Sequence, residues 1–200
     1  MKKFLIVLLI LTVALVSVFA DTYYEKGDTF FSVNVGVNFP TFLFFPNSSA
    51  DTFVSGFNGT HYSLGGYASL SYQSFLNRHL ALGGGIGYGF NFSKSNLLFA
   101  TVPITVKLTY VPIQSYNFDL KLNANVGASV LRYNSERYLA PFVSLTVNPT
   151  YYFSASWGVG VEAGLWSWFE YYPKSSTYDK WEDICIGAFT PLTVCLTYRH

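Results

Sequence analysis

Three stretches decide how this chain folds: PITVKLTY at 103–110, SLTVNPTY at 144–151 and PLTVCLTY at 191–198. Each alternates small polar with aliphatic residues, carries Thr-Val at its third and fourth places and closes on Thr-Tyr. Period-two alternation is the signature of a strand with two unlike faces. The phrase returns at spacings of 41 and 47 residues (144 − 103 and 191 − 144), room for one further strand and two turns between copies. Antiparallel neighbours reverse direction, so strands two apart run toward the same rim.

Working outward, the alternation fills the chain after residue 28. A first run covers Phe31–Phe39, with apolar side chains at every odd position. Others span Tyr62–Gln73, 80–92, 98–110, 118–131, about 141–153, about 157–170 and about 184–198. No helical period of comparable length competes. Eight runs, an even number, suit a closed antiparallel barrel.

The chemistry of the two faces separates a membrane barrel from a water-soluble one. Leu64, Leu70, Ile86, Ile104, Val106, Leu122, Val126, Val159 and Val161 typify one face, which carries no Asp, Glu, Lys or Arg. The other is mostly Gly, Ser, Thr and Asn, small residues that fit the crowded interior of an eight-stranded barrel. A charge on a lipid-facing surface costs about 2–4 kcal/mol at the bilayer midplane. Composition agrees. Charged residues make up 12% of the chain against about 25% in soluble domains. Aromatics reach 20%, with 16 tyrosines and 19 phenylalanines, too many rings and too few charges for a water-facing exterior. Net charge is +1, so no basic footprint suggests nucleic acid.

The N-terminus reads differently. Met1-Lys2-Lys3 is basic, Phe4 to Phe19 is uncharged, and Val18-Phe19-Ala20 has a cleavage-like end. This predicts a secretory signal peptide over residues 1–20, cut before Asp21, and a barrel domain over 21–200. An uncleaved anchor is the alternative. Cys185 and Cys195 fall ten residues apart on one run, about 33 Å in a strand, too far to bridge.

Connections expected at 74–78, at Pro112–Tyr116 and after residue 153 are short. Those at 40–60 and 171–183 are long, and those at 93–97 and 133–137 short and polar. Short turns on one rim and longer loops on the other are the habit of outer-membrane barrels, with the short ones periplasmic. In that arrangement Tyr110, Tyr151 and Tyr198 reach the periplasmic rim together, joined by Tyr72. A tyrosine ring prefers the apolar slab and its hydroxyl prefers water, so the repeat predicts an aromatic girdle.

On these segments the chain resembles the small eight-stranded outer-membrane proteins of the OmpW/OmpX-like group. The P-[IL]-T-V-x-L-T-Y stretches look like the strand segments such barrels repeat. The end of the chain resembles their assembly signal, with Tyr198 third from last and Leu196, Val194 and Leu192 at alternate places before it. The group usually finishes on Phe, whereas this sequence finishes on His200. The resemblance implies a porin-like barrel in the bacterial outer membrane. Such a barrel would be exported through the Sec route and folded by the outer-membrane assembly machinery, with lipid around it and at most a small solute passing.

Candidate site residues follow from the inner face. Lys107, Asp119, Lys121 and Glu162 all fall there, with Lys107 expected close to Lys121 and diagonal to Asp119. Buried charges need partners, so these groups form either a plug or a polar gate. Phe42, Phe44 and Phe45 in the first long loop, with Trp166, Trp168, Tyr171, Tyr172 and Trp181 around the last, form either a second girdle or a surface for partners. GGGIGYGF at 83–90 holds fragments of a nucleotide-binding pattern. It continues as strand rather than opening a helix, so the glycines more simply make room for neighbours such as Tyr67 or Trp166. His61 and Ser63 are an H-x-S pair of the kind that lipid-modifying barrels use, with no acid evident to orient the histidine. By this register they face the lumen.

The expectation is therefore an all-β, transmembrane, eight-stranded antiparallel up-and-down barrel, non-enzymatic, with no cofactor, no metal and a narrow or plugged lumen. A surface-binding role through loops 40–60 and 171–183 is the alternative, and an envelope lipid-modifying enzyme the third reading.

Overall fold

The computed structural model describes residues 24–46, 53–133, 136–170 and 184–200. Along them run β1 (Thr29–Phe44), β2 (Phe53–Ser55), α1 (Gly56–Thr60), β3 (Gly65–Phe75), β4 (Leu80–Phe92), β5 (Leu98–Gln114), β6 (Phe118–Tyr133), β7 (Glu136–Tyr152), β8 (Trp157–Glu170) and β9 (Cys185–Arg199). All strand pairs are antiparallel. The strands from β3 to β9 follow in order, and β1 bonds to both β3 and β9. The sheet thus closes into an eight-stranded up-and-down barrel and leaves no free edge along most of its length. The two ends of the wall meet at one rim, where Thr29 and His200 exchange backbone hydrogen bonds of 2.8 and 2.9 Å.

The strands run longer than the periodicity alone suggests, for two local reasons. The β1–β9 register shifts between Pro40 and Phe42, and the β5–β6 register between Tyr110 and Ile113. A proline lies at each shift, where its missing N–H breaks the ladder and a bulge absorbs the extra residue. Alternation stumbles there, yet each strand continues. Phe42 and Phe44, expected in the first loop, are therefore the last turn of wall in β1, and the turn expected at Pro112–Tyr116 tightens around 115–117. The expected connection at 133–137 contracts in the same way, because β6 and β7 pair as far as Tyr133 and Glu136.

The ninth strand was not legible. β3 covers β1 only as far as Asn38, and β2 pairs with Phe42–Phe44 on the edge left open. A bare edge invites pairing with another chain; β2 occupies it, with α1 packed alongside.

The faces are as the alternation requires. Val35, Leu70, Ile86, Ile104, Val106, Val126, Leu145, Val161 and Val194 lie exposed outside, while Gln73, Asn91, Thr109, Asn123 and Thr197 are buried inside. Tyr62 departs from this. It precedes β3, touches the sheet through a single bridge to Ser93, and packs inward on Phe99 and Phe189 at 5.5 and 5.7 Å. The phase read through Tyr62 fails because β3 begins at Gly65, after the left-handed His61 (φ 59°) has reset the chain direction.

At the termini rim the outward rings line up across strands. Tyr72 pairs with Phe31, Phe31 with Tyr198 and Tyr198 with Trp157, while Phe118 pairs with Tyr151. Trp157 and Tyr198 touch at 4.9 Å, and Tyr110 lies outward on β5 at the same end. The tyrosines of the repeat, with Tyr72, thus share one rim with three further rings.

Candidate functional site

The interior is built in three layers, each positioned by inward residues two apart on a strand. Nearest the loop rim is an aromatic plug. On β8 the inner parity runs Glu162, Gly164, Trp166, Trp168, and both indoles are only 1% exposed. Trp166 packs on Tyr67 (5.2 Å), Phe142 (5.3 Å) and Phe189 (5.9 Å). Trp168 packs on Phe99 (5.0 Å) and Phe189 (4.7 Å). Trp166 Nε1–H donates to Asn38 Oδ1 at 3.1 Å, and the Asn38 amide donates to Asn91 at 2.6 Å.

Two glycines make the space. A Cβ on Gly89 would lie 2.6 Å from the Trp166 ring, and one on Gly187 would lie 2.1 Å from the Trp168 ring. The reading that the glycines of 83–90 make room for Tyr67 and Trp166 is borne out, while the placement of Trp166 and Trp168 in a rim cluster is corrected. They share parity with Glu162, so they fill the lumen.

The middle layer is polar and holds an ion pair. Lys107 Nζ lies 3.6 Å from Glu162 Oε2, both buried. Asn123 and Asn148 donate to the same carboxylate oxygen at 3.1 and 3.5 Å. Asn123 also links Thr109 and Thr146, and Thr109 links on to Gln73. Charge and amide donors thus surround a carboxylate that could not stand alone at that depth. Between this layer and the plug lies a cavity of about 30 Å3, lined by Tyr67, Phe142, Ser144, Asn125, Lys107 and Glu162 among others. A space of that size is enough for water.

The third layer, at the termini rim, gathers more charge than the inner-face reading foresaw. Asp119 accepts a hydrogen bond from the Tyr24 hydroxyl, which lies 3.1 Å from the Tyr152 hydroxyl. Lys121 donates to Tyr152 Oη at 3.0 Å and Thr150 Oγ1 at 3.4 Å, with Phe30 5.1 Å below its ammonium. The Arg199 guanidinium stacks 3.6 Å over the Tyr152 ring and donates to the carbonyls of Ala155 and Tyr116 at 2.8 and 2.6 Å. Tyr24, 1% exposed, is itself stacked on Phe75 at 4.1 Å. Burial first, and then the charge of Asp119, hold its hydroxyl well above the usual tyrosine range.

Lys107 is therefore not grouped with Lys121 and Asp119. The turn at 115–117, with the one-residue bulge after Tyr110, sets Lys107 opposite Asn125 on β6, while Lys121 lies opposite Asn148 on β7, so two separate layers form. Tyr24, Tyr152 and Arg199 escaped the sequence reading. Arg199 could have been found, because it shares parity with Thr197 and Cys195. Tyr24 lies ahead of every periodic run and leaves no such signal.

The remaining candidates are dispersed. Phe42 stacks on Phe53 at 5.4 Å, and Phe39 meets Phe57 edge-on at 6.4 Å; Phe44 pairs with Phe53, and Phe45 follows it, half-buried. Tyr171, Tyr172 and Trp181, like the expected signal segment 1–20, lie outside the described residues. His61 and Ser63 are exposed at the loop rim, not in the lumen, because the chain has not yet entered β3. The Ser63 hydroxyl donates to the Phe92 carbonyl at 3.1 Å. Among the described residues no group of three His, Cys, Asp or Glu side chains could hold a metal ion. Cys185 and Cys195 are free and buried.

A protein-family model matches residues 14–198. No curated protein sequence matches. Among solved structures, Neisserial surface protein A is 11% identical, with a TM-score of 0.56 over 86% of this chain and 99% of that one. OprG of Pseudomonas aeruginosa is 9% identical, TM-score 0.47, over 90% and 99%. The outer-membrane protease OmpT of Escherichia coli is 10% identical, TM-score 0.46, over 90% and 100%. At such identities the likeness to Neisserial surface protein A is one of fold.

Proposed function

Because the chain belongs to the small eight-stranded outer-membrane β-barrel proteins, we propose that it is a non-enzymatic, plugged barrel of the bacterial outer membrane. Both termini face the periplasm in this reading, after export and removal of residues 1–20. The observation that carries it is the filled lumen: the Trp166–Trp168 plug, the Lys107–Glu162 layer and the Asp119–Tyr24 layer succeed one another, and the cavity between the first two holds about 30 Å3. A pore for solutes needs a continuous wet path, whereas this interior resembles a packed core turned inside out. Its outward face is the apolar band that lipid requires.

The test is conductance. Purified protein in a planar bilayer should give no steady discrete steps. Stable single-channel steps from the unaltered protein would overturn the reading.

A second reading keeps the barrel as a scaffold and gives the work to the loop rim. It is favoured by Phe53, Phe57 and Leu64, exposed beyond the wall. Exchanging residues 45–64 and 171–183 for short turns should then abolish attachment to a partner while the barrel still folds. Attachment unchanged by the exchange would refute this role.

A further inference from the structure

The outward face of the β5–β7 wall ends in an abrupt change of chemistry. On β6 the outward residues Leu122, Ala124, Val126, Ala128 and Val130 are all apolar, and the next is Arg132. On β7 the outward series runs Val147, Leu145, Val143, Pro141 and Leu139, then Arg137. Leu139 is 76% exposed, so the band is bare up to its last row. Arg132 and Arg137 are direct cross-strand partners, and both are exposed.

Their height is informative. Ten residues separate Leu122, in the row of Tyr110, from Arg132 (132 − 122). That is about 33 Å along a strand and about 25 Å of membrane normal at the usual tilt, the height of the apolar band of such barrels. The girdle row and the arginine row thus bracket one hydrocarbon thickness.

Two like charges directly opposite on a sheet repel unless an anion lies near them. An oxyanion held between them turns the repulsion into a fork, because guanidiniums grip phosphate bidentately. Arg132 also makes a contact within the protein; a guanidinium with five donors can keep that contact and still reach a phosphate oxygen. Ala100, between Phe90 and Arg132 on the same row, is almost wholly covered although it faces outward. An arginine stem lying along the wall, with its head raised to the interface, would cover it in this way.

We propose that Arg132 and Arg137 form a binding site for a lipid phosphate in the leaflet at the loop rim. The site deepens the membrane reading above and depends on it. The phosphate is that of a phospholipid or of a phosphorylated glycolipid; the chemistry of recognition is shared.

The test uses full-length processed protein in phosphatidylcholine nanodiscs doped either with phosphatidylglycerol or with bisphosphorylated lipid A. Lipid retained on the protein is counted by native mass spectrometry. Wild type should retain the doped phospholipid, the glycolipid or both in preference to phosphatidylcholine, and which one identifies the source. R132Q/R137Q should retain it about tenfold less or worse, as loss of two interfacial cations implies. K94Q, changing a cation in the neighbouring turn, should retain it normally. Equal retention by wild type and R132Q/R137Q, or no preference in wild type, would overturn the site. Vesicle flotation separates the two levels: protein that floats but shows no preference refutes only the phosphate site, whereas protein that fails to float refutes the membrane reading itself.

Discussion

Replacing Glu162 by leucine should destabilise the barrel far more than replacing it together with its partner. At the observed 3.6 Å, two unit charges attract by about 5 kcal/mol at an effective dielectric constant near 20, most of it offset by the desolvation of both groups. Glu162→Leu removes the attraction and leaves the desolvated Lys107 behind. It also takes the shared acceptor from the amides of Asn123 and Asn148, leaving the Asn123 amide nitrogen only its bond to Thr146. Breaking a buried pair in this way costs about 3–5 kcal/mol, whereas replacing both members by apolar residues of similar volume is often near neutral. K107M/E162L should therefore recover most of the loss. Glu162→Gln, which keeps an acceptor for Asn123, should fall between. The assay is reversible urea unfolding from phospholipid vesicles, followed by the fluorescence of Trp166 and Trp168. A loss below about 1 kcal/mol for Glu162→Leu, or a double variant no better than the single one, would show that the pair does not hold the lumen as described.

Other consequences follow from the same layers. Gly187→Ala drives a methyl into the Trp168 ring and should cost about 1–3 kcal/mol; Trp168→Phe in the same chain should relieve it, read as a restored unfolding midpoint. Val126→Arg, at mid-height on the outer wall, should lower stability by about 2–4 kcal/mol, measured against Asn117→Arg at an exposed turn position, which should be close to neutral. The raised pKa of Tyr24 favours its protonated form in the fold. The stability it contributes is therefore complete below the unfolded value near 10 and falls as pH rises past it. Across that alkaline window Tyr24→Phe should unfold with a shallower pH dependence than wild type, by about 1.4 kcal/mol per pH unit. Parallel profiles would remove Tyr24 from the buried network.

How much of this was legible is a question of parity. Strands β4, β6 and β8 announce themselves because two unlike environments press on alternate residues for a dozen positions, and apart from the outward Gly84 their glycines and asparagines line the inner face. The same rule already located Trp166 and Trp168, had it been followed two steps beyond Gly164; proximity to a long loop misled. Parity fails where the backbone inserts a residue. Pro40 and Pro112 each shift the ladder, so the ends of β1 and β5 and the neighbours of Lys107 could not be read by counting. It fails again where no strand exists: Tyr24 enters the lumen from an irregular segment, and β2 is only three residues long. The girdle tyrosines were readable because an interface selects one residue type at one height. The ion pair was readable as four charges on the inner face, but not as partners, since partnership depends on register.

The most direct measurement concerns which side of the wall meets hydrocarbon. Nitroxide labels placed singly at Val106, Val126, Leu145 and Val194, in protein reconstituted into bilayers, report collision with oxygen, which concentrates in lipid, and with a water-soluble nickel chelate. High oxygen and low nickel contact is expected at all four sites, reversing at a label on Ser115 beyond the tyrosine rim. Strong nickel contact at Val126 and its companions would mean that water, not lipid, covers the aliphatic face, and the barrel would have to be a soluble one.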